Sequence, residues 1–93
     1  MKGALSGVRV LEIARNVSGP YACRLLAEQG ADIIKVEPPG GDPSRAYGPF
    51  PKDNVHPEKS GLFLHLNRNK RSIVIDQSSA EGADTIRALA SDV

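Results

Sequence analysis

The sequence predicts an α/β fold: an open, parallel, Rossmann-like sheet with flanking helices. Three branched-rich runs predict the strands, namely Val8 to Ile13 (VRVLEI), Ala31 to Glu37 (ADIIKVE) and Ser72 to Asp76 (SIVID). Helical patterns separate them. The first strand, loop, helix, glycine and second strand close within about 30 residues, the length of a right-handed βαβ crossover, which makes the sheet parallel.

The elements follow in order. After the first strand, Ala14 to Gly19 (ARNVSG) reads as a loop. Pro20 reads as the first helical residue, because its missing N–H is not needed there, with Ser18 or Gly19 as cap. Ala22, Leu25 and Leu26, spaced i, i+3, i+4, predict the face of this helix that packs inward. Gly30 is placed to end it and the second strand starts at once. Composition changes at Pro38: six of the seven prolines lie between Pro38 and Pro57, interspersed with glycines. A loop this long in a compact domain is functional or mobile. Ser60 to Asn67 predicts one or two helical turns with Leu62, Phe63 and Leu66 facing the core. Ser78 and Glu81 have capping-box spacing and open a last helix whose buried stripe is Ala83, Ile86, Leu89 and Ala90. Asp92 and Val93 read as the entry to a fourth strand. Residues 1–93 are one unit, too short for a second domain.

Composition narrows the function classes. The net charge of +1 gives no global field for nucleic acid or acidic lipid, so an anion must be met by a local cluster. Two Tyr, two Phe and no Trp leave little surface for stacking bases. Cys23 is the only cysteine, which excludes an internal disulfide and a cysteine metal cage. No apolar run approaches membrane-spanning length, and no secretory leader is visible from Met1 to Arg9. A cytoplasmic location is the default expectation.

Ligands of open α/β sheets bind beyond the carboxyl ends of the strands. That rule selects Ala14 to Gly19, Pro38 to Arg45, and Asp76 to Ser79. The first loop lacks the dinucleotide glycine fingerprint, and there is no Walker pattern. It offers helix-start N–H groups and Arg15, an edge suited to an anion or amide. Glu37 stands where a dinucleotide domain places its ribose-binding acid, but without the glycine loop it reads as an ordinary strand-end carboxylate near Lys35. Arg68, Lys70 and Arg71 form the densest positive cluster, either a solvated turn or a phosphate contact. Arg45 is a second phosphate candidate. His56 and His65 have no partner at metal or catalytic spacing, and His65 falls on the polar side of its short helix. Ser18 and Ser60 lack a nucleophile-elbow context.

As an ordered set, LSGVRVLEIARNVSGPYACRLLAEQGADIIKVEPPGGDPSR, GLFLHLNRNKRSIVID, SAEG and SDV resemble the opening of the class III, formyl-CoA transferase-like CoA-transferases. The resemblance runs over residues 4–93, weakest from Tyr47 to Lys59. It implies an enzyme that moves coenzyme A from an acyl-CoA to a free carboxylic acid through a covalent aspartyl intermediate. It places that Asp beyond Val93, so Asp32, Asp42, Asp53, Asp76, Asp84 and Asp92 are not nucleophiles and this chain holds no catalytic residue. The chain then reads as the truncated amino-terminal CoA-binding segment of a larger domain.

By position, the resemblance puts Val17 and Ser18 against the coenzyme or acyl group, and Ile75, Asp76, Gln77 and Ser78 beside the adenosine part. It implies coenzyme A or acyl-CoA as substrate, a carboxylic acid as its partner, no metal, and an interlocked homodimer. Three departures bear on the site. Val17 stands where some members carry a Gln that orients the acyl group, Pro38 where many carry Arg, and Ser78 where many carry Lys. Arg45 and Arg71 are the cations expected to compensate. Two alternatives accompany this reading: an α-methylacyl-CoA racemase of the same superfamily, and a non-catalytic CoA- or nucleotide-binding module.

Overall fold

A computed structural model describes residues 3–93. Strand β1 (Arg9–Glu12) leads into helix α1 (Ser18–Glu28), then strand β2 (Asp32–Glu37). Two short 3-10 turns, Pro43–Ala46 and Pro51–Asp53, occupy the proline-rich segment. Helix α2 (Gly61–Leu66), strand β3 (Lys70–Val74) and helix α3 (Ala80–Ala90) complete the described chain. The sheet has the order β1-β2-β3, and both pairings are parallel. The expected open parallel α/β fold is therefore present.

The register explains where polar and apolar residues go. Glu12 lies opposite Lys35, and Val10 opposite Ile33. Successive strand side chains alternate between faces, so Val10, Glu12, Ile33, Lys35 and Glu37 share one face of the sheet. Its amino end is apolar: Ile33, Ala27 and Ala31 are buried there, with Leu5, Val10 and Cys23 packed against them. Its carboxyl end is ionic.

Helix α1 covers this face differently from the predicted stripe. Pro20 and Ala27 are buried and Cys23 is half-buried, whereas Ala22, Leu25 and Leu26 face outward, Leu25 being 44% exposed. The reason lies beneath the helix. Lys35 and Lys70 already fill the sheet face, so small residues set the close approach and the leucines turn away. The helix also starts at Ser18, before the expected Pro20, and no side chain caps it. Pro20 then falls within the first turn, where a backbone N–H has no intrahelical acceptor in any case. Gly30 ends the helix as expected, at φ +101°.

Three other boundaries differ from expectation. Strand β3 begins at Lys70 and stops at Val74. Asn69, at φ +64°, makes the turn before it; Asn accepts this left-handed conformation more readily than most residues. The cap of α3 is Ser79, whose Oγ accepts from Gly82 N–H at 2.9 Å, because Ser78 is engaged by the Asp76 carboxylate. Gly82 is required there, since a Cβ would stand 1.8 Å from the Asp76 carbonyl oxygen. In α3, Ala83, Ile86 and Leu89 are half-buried while Ala90 is exposed. After α3 the chain turns, and residues 92–93 start no fourth strand among the described residues.

Helix α2 matches expectation closely. Ser60 Oγ caps it by accepting from Phe63 N–H at 3.1 Å. Phe63 and Leu66 are buried, Leu62 is half-buried and His65 is exposed.

Candidate functional site at the carboxyl edge of the sheet

Because all three strands run the same way, residues 13–17, 38–42 and 75–79 leave the sheet along one edge. Backbone pairing continues one step further there, with Ile75 N–H donating to Glu37 O at 2.9 Å. Val17 is 53% exposed and Ser18 is exposed beside it. On the opposite flank Ile75 is buried, whereas Asp76, Gln77 and Ser78 are exposed. Ser78 donates through both Oγ and N–H to Asp76 Oδ1, at 2.5 and 3.0 Å, which holds the Asp76 carboxyl below its usual range.

The proline-rich segment is folded against this edge. Arg45 grips Glu37 with two parallel bonds, Nε to Oε1 at 2.7 Å and Nη2 to Oε2 at 2.8 Å. It also donates to Pro57 O and stacks over Phe63, 3.7 Å from the ring centroid. Burial alone would raise the Glu37 carboxyl. Arg45, the Ser72 hydroxyl and the Asp42 N–H outweigh it and bring Glu37 down to about 2. Two open depressions adjoin here, of about 240 and about 320 Å³. Both are lined by Gly40, Gly41, Arg45 and Pro57, and the second reaches Glu37 and Val74.

Behind the first loop is a set of buried ionic side chains. Lys35 Nζ donates to Glu12 Oε2 at 2.6 Å and to Ala14 O at 3.1 Å. Lys70 Nζ donates to Pro20 O and Asn67 Oδ1, at 2.9 and 2.8 Å. Lys70 also meets Glu12 Oε1 at 2.6 Å and Lys35 meets Asp42 Oδ2 at 2.9 Å, as ion pairs outside hydrogen-bond angles. All four side chains are at most 2% exposed. Burial pushes Asp42 up, but Lys35, Ser44 and the Asn16 N–H leave it lowered. Burial lowers the Lys70 ammonium despite Glu12. Burial, followed by the neighbouring Glu12, raises the Cys23 thiol.

These placements redistribute the predicted cations. Lys70 is neither a solvated turn nor a phosphate contact; it is an interior partner of Glu12. Arg71 sits near the amino end of β3 and pairs with Asp32 at 2.6 Å, at the edge opposite the exposed loops. Arg45 is committed to Glu37. Arg45 thus lines both depressions at the carboxyl edge with its guanidinium engaged by Glu37, whereas Arg71 lies at the opposite edge. Glu37 has both oxygens engaged by protein groups, and its partner is Arg45, not Lys35. Ser60 and Ser44 are buried structural hydroxyls, Ser60 donating to Ser44 O at 2.8 Å. Among the described residues, no helix is long and apolar enough to cross a membrane, and no three His, Cys, Asp or Glu side chains are grouped to hold a metal.

A sheet edge of this kind is shared by many α/β proteins; comparison with known proteins decides among them. Residues 5–93 match the model of CoA-transferase family III. The chain belongs to that family. It is 48% identical over 91 residues to the succinate–glutarate CoA-transferase of Agrobacterium fabrum, covering 95% of this chain and 23% of that one. It is 43% identical over 90 residues to the formyl-CoA:oxalate CoA-transferase of Afipia carboxidovorans, covering 96% and 20%. Among solved structures, a CAIB/BAIF family protein from Brucella suis superposes with a TM-score of 0.87 at 35% identity, over 100% of this chain and 25% of that one. The chain thus spans a quarter or less of the length of these relatives.

Proposed function

We propose that this family III chain forms the coenzyme-facing edge of an acyl-CoA:carboxylate CoA-transferase. The observation that carries the reading is the parallel sheet, which sends the loops of residues 14–19, 38–45 and 76–79 off one edge in a chain whose relatives are named for CoA transfer. Val17 and Ser18 are assigned to the thioester end of the coenzyme. Ile75, Asp76, Gln77 and Ser78 are assigned to its adenosine end. The uncapped start of α1 supports the first assignment, because its leading N–H groups have no side-chain acceptor and suit a carbonyl or phosphate oxygen.

The chemistry assigned to the whole enzyme is carboxylate nucleophilic catalysis. An Asp oxygen attacks the acyl-CoA carbonyl and the CoA thiolate leaves, giving a mixed anhydride. The thiolate then attacks the Asp carbonyl, releasing the donor acid and leaving an aspartyl-CoA thioester, which the acceptor carboxylate takes up in reverse. We place that nucleophile beyond residue 93. Four of the six aspartates here have other employment: Asp42 is buried on Lys35, Asp32 pairs with Arg71, Asp84 with Arg87, and Asp76 anchors the turn into α3. Dicarboxylates and their CoA esters are the proposed substrates, since the relatives include enzymes named for succinate, glutarate and mesaconate. A cytoplasmic homodimer is the proposed working form.

The test is incubation of the protein, together with its downstream sequence, with succinyl-CoA. Hydroxylamine-sensitive labelling of one Asp, and transfer of CoA to glutarate, are the expected results. Exchange of the proton next to the thioester carbonyl with solvent, without labelling, would instead assign a racemase.

A further inference from the structure

A buried ion network of this size is not explained by stability, since apolar side chains of equal volume serve a core as well or better. Its outward bonds suggest another role. Three of them end on the segment 14–20: Lys35 Nζ holds Ala14 O at 3.1 Å, Asp42 Oδ1 accepts from Asn16 N–H at 3.2 Å, and Lys70 Nζ holds Pro20 O at 2.9 Å. The remaining ones go to Ser44 and Asn67. Val17 and Ser18 lie between the second and third of these anchors and are themselves exposed.

The loop's own geometry calls for such holding. Asn16 has φ +66°, a left-handed conformation that Asn accepts more readily than most residues but that its surroundings must still select. The segment also folds back tightly enough that a Cβ on Gly19 would lie 2.5 Å from the Ala14 Cβ. Glu12 ties the lysines together, one oxygen to each, and comes from the strand that leads into the loop. The half-buried Cys23 thiol is the neutral neighbour beside Glu12.

We infer that Glu12, Lys35, Asp42 and Lys70 act together as positioning residues that clamp the 14–20 segment and thereby set where Val17 and Ser18 meet the thioester. This rests on the coenzyme assignment above. The cluster touches no substrate atom; it fixes backbone that does.

The test compares the protein with its Lys70→Met variant by amide hydrogen exchange and by calorimetric titration with coenzyme A. A Glu12→Gln/Lys70→Met double variant, which removes one charge of each sign, covers the case in which the single change prevents folding. Amides of residues 15–18 are expected to exchange roughly tenfold faster, while those of Ile33 to Val36 change by less than about threefold. Affinity for coenzyme A falls by about tenfold in step. Equal acceleration of loop and strand would overturn the inference, as would a loosened loop with unchanged affinity. If the unaltered protein fails to bind coenzyme A, the proposed function falls, and the exchange pattern still decides whether the clamp exists.

Discussion

Replacing Glu37 by Gln removes the carboxylate that Arg45, Ser72 and the Asp42 N–H all engage, and the size of its effect follows from acid–base linkage. The folded carboxyl sits at about 2 against an ordinary value of 4.5. A difference of this size corresponds to about 3 kcal/mol favouring the folded chain when the group is ionised. The sign is that of a depressed carboxyl. Its contribution is complete above the unfolded value and disappears as pH falls from about 4.5 toward 2. Gln resembles the protonated acid and has no such dependence. Urea unfolding at a series of pH values should therefore find Glu37→Gln less stable by about 2–3 kcal/mol at pH 7 and nearly equal to the unaltered chain near pH 2. The contributions of other carboxylates cancel in that difference. A gap between the two proteins that stays constant with pH would refute the reasoning, because the loss would then owe nothing to the ionised group.

Further outcomes follow from other contacts. Lys35→Met leaves Glu12 and Asp42 short of a buried counter-charge and should destabilise by about 3–5 kcal/mol in chemical denaturation, whereas Arg71→Ala, in an exposed pair with Asp32, should change stability by less than about 1 kcal/mol. Ser79→Ala should weaken the start of α3 by about 1 kcal/mol, measured as faster amide exchange in its first turn, and Ser78→Ala should leave that turn unchanged. Gly82→Ala should cost about 1–3 kcal/mol through the clash with the Asp76 carbonyl, seen as a lower thermal midpoint. Studied alone, the 93-residue chain should self-associate, since β1 and β3 are both outer strands and Leu25 and Leu26 face outward; a monomer at all concentrations in sedimentation would count against this.

The parts of the fold that were legible in the sequence are those governed by local rules. Branched runs marked the strands to within one or two residues, Gly30 marked the end of α1, and Ser60 with Phe63 and Leu66 marked α2. Chain direction followed from the length of the first crossover. What stayed hidden were long-range ionic partners. Lys70 and Arg71 look alike in NRNKRS, yet one is buried on Glu12 and the other is exposed on Asp32, a difference set by strand register. The buried face of α1 departs from the hydrophobic pattern for the same reason: hydrophobicity points to Leu25 and Leu26, but the sheet beneath offers lysine side chains and admits only small residues. Glu12 and Lys35 carried one available signal, which is that charged residues inside a branched-rich run demand partners when buried; Asp42, in the Gly/Pro loop, carried none of that kind. The cap at Ser79, one residue after Ser78, had a signal as well, the glycine three residues after it.

The assignment of the carboxyl edge to coenzyme A is tested most directly by titrating the isotopically labelled protein with coenzyme A and following amide shifts. Resonances of Val17 and Ser18 should move together with those of Asp76, Gln77 and Ser78, while Arg9, Asp32 and Arg71 at the opposite edge stay fixed. Shifts confined to that opposite edge would contradict the assignment.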